Sequence, residues 1–588
     1  MIRTEINNIK TANHNNNTKA AWNTINKITG RKNGASGMLK GKTPDERKAK
    51  WYHHFKNLLG QPPSITNENE EIVKIVDQDL PIPTGDFTQE ELEIVLKQLP
   101  SGKSTGLDGI PAEVWKLNQL HPILLDFCNG LLSSLEKPDD WSVSGIVPIP
   151  KKGDLSDSNN YRGISLMPIA TKIFNRLLLN RIRPTIDPIL RTNQNGFRQS
   201  RSTVSHIIGL RRIIEGVKAK NLPCTITFVD FKKAFDSIHR GKMMKILRAY
   251  GIPPKIVDAI NRIYTGTKAV VLSPEGETDP FDIEAGVLQG DTLAPYLFII
   301  VLDYEMRKAI GEDNDKLGFT VNNRLCSRKP AEVITDLDFA DDIALLSDTN
   351  KEAQELLTRV EKAASSTGLQ MNVTKTKIMQ YNQPKIAIRS LDNTEIDTVE
   401  DFQYLGSWVD SSEQDITTRK KKAWVACNKL SKIWKSNLPN KIKLQLFRST
   451  VESVLLYGAE SWTLTKKLQQ SLDGCYTRML MTVQNMDWRQ HYTISDIYGK
   501  LPRVSDTIKQ KRLQLAGHLH RRKEQLISKL LLWEPKQGKR SRGRPYTTYV
   551  NQLCQDTGLN TNQLVRAMDD RSQWKEIVNR VVPTTCRR

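Results

Sequence analysis

The sequence predicts an α+β fold. From 87 to about 381, helical patterns alternate with short β-rich runs, without the even strand–helix–strand beat of a doubly wound sheet. After about 410 the pattern is mostly helical. Within the first stretch lie two strand signals that carry acidic residues, at 224–230 and 334–346.

The elements follow in order. Residues 1 to about 60 read as polar helices. Trp22, Ile25 and Ile28 have helical spacing, Gly30 ends that segment, and Trp51, Tyr52, Phe55 and Leu58 form a second stripe. Residues 61–85 carry Pro62, Pro63, Pro81 and Pro83 around an acidic patch and read as a linker. Hydrophobic residues make up 38% of 588, enough for real cores. The excess of Lys and Arg leaves a net charge of +22, which suits a polyanionic partner, because such side chains displace counterions from phosphates. Seven cysteines lie far apart with no C-x-x-C pair, which points to reduced thiols in an intracellular compartment. No apolar run approaches the ~18 residues of a membrane span.

The chemistry sits on the acidic strand ends. The run 224–230 is β-branched and aromatic, and Asp230 closes it. The following stretch, with Phe235 and Asp236, looks like a turn opening into a helix. A carboxylate at a strand end is rigidly aimed, although a lone Asp there more often caps a turn. Further on, two β-prone runs flank Asp341 and Asp342, which reads as a hairpin with both carboxylates at its tip. Adjacent carboxylates repel unless a cation neutralises them, and Mg²⁺ takes hard oxygen ligands. Alone, such a turn is equally a solvated acidic loop.

Together these blocks resemble the palm motifs of reverse transcriptases, specifically those of non-LTR (LINE-type) retrotransposons. The Asp230, Phe235 and Asp236 block is similar to the family's first catalytic motif. The stretch 286–298, with Gln289 and Gly290, is similar to the second, and Phe339, Ala340, Asp341 and Asp342 resemble its aromatic-x-Asp-Asp box. The resemblance implies a right-hand polymerase fold: fingers, a palm with an antiparallel sheet, and a helical thumb, with helical N-terminal and C-terminal extensions. The implied boundaries are 1–85 for the N-terminal extension and linker, 86–385 for fingers and palm, 386–470 for a primer-grip hairpin and thumb, and 471–588 for a basic C-terminal region.

The resemblance also assigns roles. Asp230, Asp341 and Asp342 would hold two Mg²⁺, with Mn²⁺ as a substitute ion. Phe235 would pack under the sugar and exclude a 2′-hydroxyl. Gln289 and Gly290 would line the nucleotide and template pocket. Lys151, Lys152 and Arg162 fall in the fingers, where Arg162 would grip the triphosphate bidentately. The stretch 194–203, with Gly196, Phe197 and Arg198, would touch template. Lys375 or Lys377 would protonate departing pyrophosphate, and spacing does not choose between them. The segment 402–406 is similar to a primer-gripping hairpin. Trp424, Trp434, Tyr457 and Trp462 on the helices that follow are expected to be core. Implied partners are an RNA template, a DNA primer or target, and dNTPs.

The C-terminal region is read from its own residues. Arg542, Gly543, Arg544 and Pro545 have the shape of a minor-groove reader, against a solvated loop. His518, His520, Cys475 and Cys554 lack structural-zinc spacing. Basic runs at 419–422 and 539–544 suit nuclear import and phosphate binding equally, so nucleus and cytoplasm both stay open. No endonuclease motif precedes the first palm block, so a reverse transcriptase without its endonuclease is expected. Three functions compete. One is an active RNA-directed DNA polymerase; one is a catalytically silent nucleic-acid-binding derivative; one is an RNA-directed RNA polymerase. The occupied Asp positions favour the first over the second, and Phe235 argues against the third.

Overall fold

The computed structural model describes residues 24–25, 39–66, 70–133, 136–151, 153–311, 317–487, 489–539 and 547–581. The stripe of Trp22 and Ile28, Lys152, and the turn of Arg542, Gly543, Arg544 and Pro545 lie outside them.

A four-stranded antiparallel sheet frames the site. Its strands are β1 (Cys224–Val229), β2 (Asp336–Phe339), β3 (Asp342–Ser347) and β4 (Lys377–Tyr381), in spatial order β4-β1-β3-β2. All six residues of β1 are buried, so the strand reads as an unbroken apolar and threonine run. Side chains alternate across a strand, and the two faces serve different cores. Cys224, Ile226, Phe228, Ala344 and Leu346 enter one core; Val229, Ile343, Leu345 and Ile378 enter the other.

Helices cover both faces. The helix Ala294–Ile310 supplies Phe298, and Asn350–Ser365 supplies Leu356, Leu357 and Val360 to the second core. The first core is closed by the helix Thr203–Lys220 (α1) and by the C-terminal helices, including Val504–Arg521 (α2). Leu513, Leu530, Trp533 and Leu553 belong to that core, and Leu530 and Trp533 close over Gly209 and Gly216 of the helix Thr203–Lys220. The indole N–H of Trp533 donates to the Val321 carbonyl at 3.0 Å, and that of Trp574 donates to the Leu513 carbonyl at 2.8 Å.

A second sheet pairs Val143–Pro150 antiparallel with Tyr161–Leu166 and parallel with Lys268–Ser273. The stripe predicted around Trp51 forms the helix Pro44–Leu59, whose start is capped by the Thr43 hydroxyl accepting from the Glu46 N–H. Trp51 meets the Tyr161 ring edge-on, with centroids 4.7 Å apart. The proline-rich stretch differs from the linker expected. The Ile75 and Val76 N–H groups donate to the Ala249 carbonyl, the Leu80 N–H donates to the Gly251 carbonyl, and Ile82 is buried. Proline there holds the chain extended, while the apolar residues between give it purchase on the body.

A third core joins the helices Ser412–Lys429, Asn440–Phe447 and Lys466–Gln484 around Trp434, Phe447, Trp462 and Tyr476. Of the aromatics expected in the core, Trp434 and Trp462 are buried, whereas Trp424 and Tyr457 are half-buried. No described helix is long and apolar enough to cross a membrane.

Candidate polymerase active site

Strand register brings the acidic residues together. Ile343 pairs with Val229, so the next step along the antiparallel pair carries Asp342 and Asp230 out of adjacent strands. Asp341 lies between β2 and β3, and Ala340 before it takes a left-handed conformation, φ 55°. The end of β1 is fixed from its other side. The Asp230 N–H donates to the buried Thr376 hydroxyl at 3.3 Å, and the Asn372 N–H donates to the Asp230 carbonyl at 2.7 Å.

The three carboxylates feel one another. Burial raises the Asp341 carboxyl, and the Asp230 charge raises it further, against Arg162 and Lys375. Burial, then Asp341 and Asp230, push Asp342 up to about 6. The Lys375 ammonium stands 3.6 Å from Asp230 Oδ2, an oxygen that is buried without a hydrogen-bond partner. Among the described residues no three His, Cys, Asp or Glu close into a metal cage. The donor set nonetheless fits a hard divalent cation. It offers mutually repelling carboxylate oxygens and an orphaned buried one, and Mg²⁺ ordinarily completes its shell with substrate phosphates and water.

A pocket wall stands beside this cluster. Phe235 lies on the 3₁₀ turn Ala234–Asp236, its ring stacked on buried Phe298 with centroids 4.4 Å apart, and Phe197 meets it edge-on at 5.9 Å. Gln289 donates from Nε2 to Asp236 Oδ1 at 3.0 Å. Burial raises Asp236 to about 6, against Lys233, Lys151, Gln289 and Arg162. Gly290 has φ 122°, and a Cβ there would lie 2.4 Å from the Ser165 carbonyl oxygen, so only glycine fits. Arg162 is exposed on the second sheet, and Lys151 is exposed just past the strand Val143–Pro150. Desolvation and the Arg162 charge lower the Lys151 ammonium, whereas Asp236 raises it.

The geometry separates the two candidate lysines. Lys375 faces Asp230, whereas Lys377 donates to the Thr374 carbonyl at 2.7 Å and pairs with Asp397, away from the cluster. The hairpin Gln403–Tyr404 and Ser407–Trp408 is bolted to the sheet. The Tyr404 hydroxyl donates to the Leu337 carbonyl at 2.8 Å, and Phe402 stacks on Phe228 at 4.2 Å. Arg198 differs from the template contact expected. Its guanidinium is buried, bonded to Asp187 and to the carbonyls of Asp187, Arg191 and Gln194. A cation so fully satisfied inside the chain has no donor left for a phosphate.

Sequence reasoning missed what lies under the hairpin. Arg191 bonds to Asp336, and its second amino group reaches Asp338 at 3.5 Å, both carboxylates fully buried on β2. The Asp-x-Asp spacing signalled that two carboxylates share one face, and hence need a cation, but nothing pointed to Arg191 as that cation.

An antiparallel sheet with a carboxylate at one strand end and two at the adjoining hairpin, walled by an aromatic turn and flanked by fingers and helices, defines the palm of a nucleic-acid polymerase. The family described as "Reverse transcriptase (RNA-dependent DNA polymerase)" matches residues 149–409. The chain is 24% identical over 348 residues to the retrovirus-related Pol polyprotein from type-1 retrotransposable element R2 of Popillia japonica, covering 57% of this chain and 47% of that one. It is 27% identical over 325 residues to that of the type-2 element R2DM of Drosophila melanogaster, covering 55% and 29%. It is 24% identical over 469 residues to the RNA-directed DNA polymerase from mobile element jockey of Drosophila funebris, covering 73% and 47%. Residues 149–409 thus match a reverse transcriptase domain, and the chain is similar there to proteins of retrotransposable elements. It spans about half the length of these relatives, or less.

Proposed function

We propose that this protein is an RNA-directed DNA polymerase that extends a primer 3′-hydroxyl on an RNA template, using dNTPs and two Mg²⁺. The observation that carries the reading is the register of β1 against β3, which brings Asp230 beside Asp341 and Asp342. Bound there, divalent ions would make the 3′-hydroxyl a better nucleophile and offset charge on the leaving pyrophosphate. Asp230 and Asp341 would hold them, with Asp342 adding negative charge at the turn.

The chain's own groups supply the rest. Arg162 and Lys151 offer cations to the triphosphate from the fingers side. Phe235, backed by Phe298, presents a rigid ring where a sugar would sit, and a 2′-hydroxyl would meet that ring. Gln289 and Asp236 fix each other and shape the wall next to it. Lys375 is aimed at the carboxylate cluster and can deliver a proton to the departing pyrophosphate.

Primer extension on an RNA template, with Mg²⁺ and either dNTPs or rNTPs, tests the reading. Wild type should extend with dNTPs and Asp341→Asn should not, while both bind primer–template equally. Binding without extension by wild type would instead support the silent nucleic-acid-binding derivative.

A further inference from the structure

We propose that Gln194 is a positioning residue whose side-chain amide holds the Ala340 peptide, and so aims Asp341 and Asp342. The inference rests on the polymerase reading for its catalytic consequence, but its geometry stands apart from it. Gln194 is 1% exposed. Its Oε1 accepts from the Ala340 N–H at 2.8 Å and from the Gly196 N–H at 2.6 Å, and its Nε2 donates to the Ala340 carbonyl at 3.3 Å. One side chain thus reads both polar groups of a single backbone residue.

That residue is the one the turn depends on. Ala340 precedes Asp341 and holds φ 55°, a conformation that an L side chain seldom adopts unaided. The loop bearing Gln194 is locked beside it. The Asn195 N–H donates to the Asp338 carbonyl at 2.8 Å, and the Asp338 N–H donates to the Asn193 carbonyl at 3.1 Å, so the loop runs along the edge of β2. A Cβ on Gly196 would fall 2.3 Å from the Ala340 nitrogen, so the two backbones touch. The left-handed turn is over-determined by this neighbour, and the carboxylate directions follow from the turn.

The test uses the full chain. Gln194→Met keeps volume and removes all three bonds. In the metal-free protein, hydrogen exchange in the 338–343 segment should quicken, a readout independent of activity. Single-nucleotide addition should slow roughly ten- to a hundredfold in kcat, with KM for dNTP and primer–template Kd unchanged. Gln194→Glu keeps the two accepting bonds and should lose less. Adding Ala340→Gly should restore part of the rate, because glycine takes positive φ without help. Unchanged exchange in both Gln194 variants overturns the proposal, as does a Gln194→Met rate that Ala340→Gly leaves untouched. If Gln194→Met fails to fold, the same exchange comparison is read on Gln194→Glu. An inactive wild type counts against the polymerase reading, and the exchange comparison then decides the positioning role alone.

Discussion

Replacing Arg191 with leucine should be among the most damaging single changes outside the carboxylate cluster. Arg191 is 11% exposed in its side chain, and its partners Asp336 and Asp338 are 0% and 1% exposed. Leucine leaves two buried carboxylates two positions apart on one strand. Asp336 keeps the Asn193 amide, at 3.2 Å, and the Thr335 hydroxyl, but Asp338 Oδ1 already lacks a partner. Breaking a buried pair from one side costs about 3–5 kcal/mol, and the orphaned Asp338 argues for the upper part of that range. The cost should depend on pH. Burial, then the Asp336 charge, already hold the Asp338 carboxyl well above its ordinary value, and Arg191 opposes them. Without Arg191 that elevation grows. The folded variant then binds more protons than its unfolded chain, so its stability is present at low pH and lost as pH rises. Urea denaturation should show a deficit relative to wild type that widens from about pH 5 to pH 8. Adding Asp336→Asn and Asp338→Asn should recover most of it. A deficit below about 1 kcal/mol at the upper pH, or one independent of pH, would refute the reasoning.

Other predictions follow from the site. Phe235→Val should weaken the preference for dNTPs over rNTPs by roughly a hundredfold, measured as a ratio of kcat/KM; unchanged sugar selectivity removes the gate assignment. Lys375→Ala should slow nucleotide addition by about 10²-fold or more, whereas Lys377→Ala should leave the rate alone; equal effects would count against the assignment of Lys375. Asp342 is raised to about 6, so ionising it opposes folding as pH rises from its unfolded value through 6. Metal-free Asp342→Asn should therefore melt above wild type at neutral pH and alongside it in acid, and Mg²⁺ should raise the wild-type melting temperature more than the variant's.

What was legible in the sequence was what local pattern encodes. The strand ending at Asp230, the hairpin tip at Asp341 and the Trp51 and Phe55 stripe each follow from a period or a turn. Lys375 could not be told from Lys377 by spacing. Lys377 starts β4 and turns to Asp397, while Lys375 sits just before it, in the segment bonded back to Asp230, and only the fold reveals that difference. Arg198 departs from the template contact that the resemblance implies, for a related reason. A motif resemblance places an arginine near template, but only the fold supplies Asp187 and three carbonyls around its guanidinium. Gln194, Arg191 and the strap at 70–82 all act through contacts more than a hundred residues away, and no local window carries that information.

The helices after residue 504 give the molecule an unexpected indivisibility. They back the helix Thr203–Lys220 that covers the strands beside Asp230 and Asp342, with Ile527 and Leu530 over Gly209 and Trp533 over Gly216, in one core with Ile226, Phe228 and Leu346. A protein trimmed to the stretch that matches the reverse transcriptase family would leave the outer side of that helix wet, and the carboxylate-bearing strands would lose part of their backing. The tail is thus a part of the palm's chassis, and mutations deep within it should reach the carboxylate cluster through the floor.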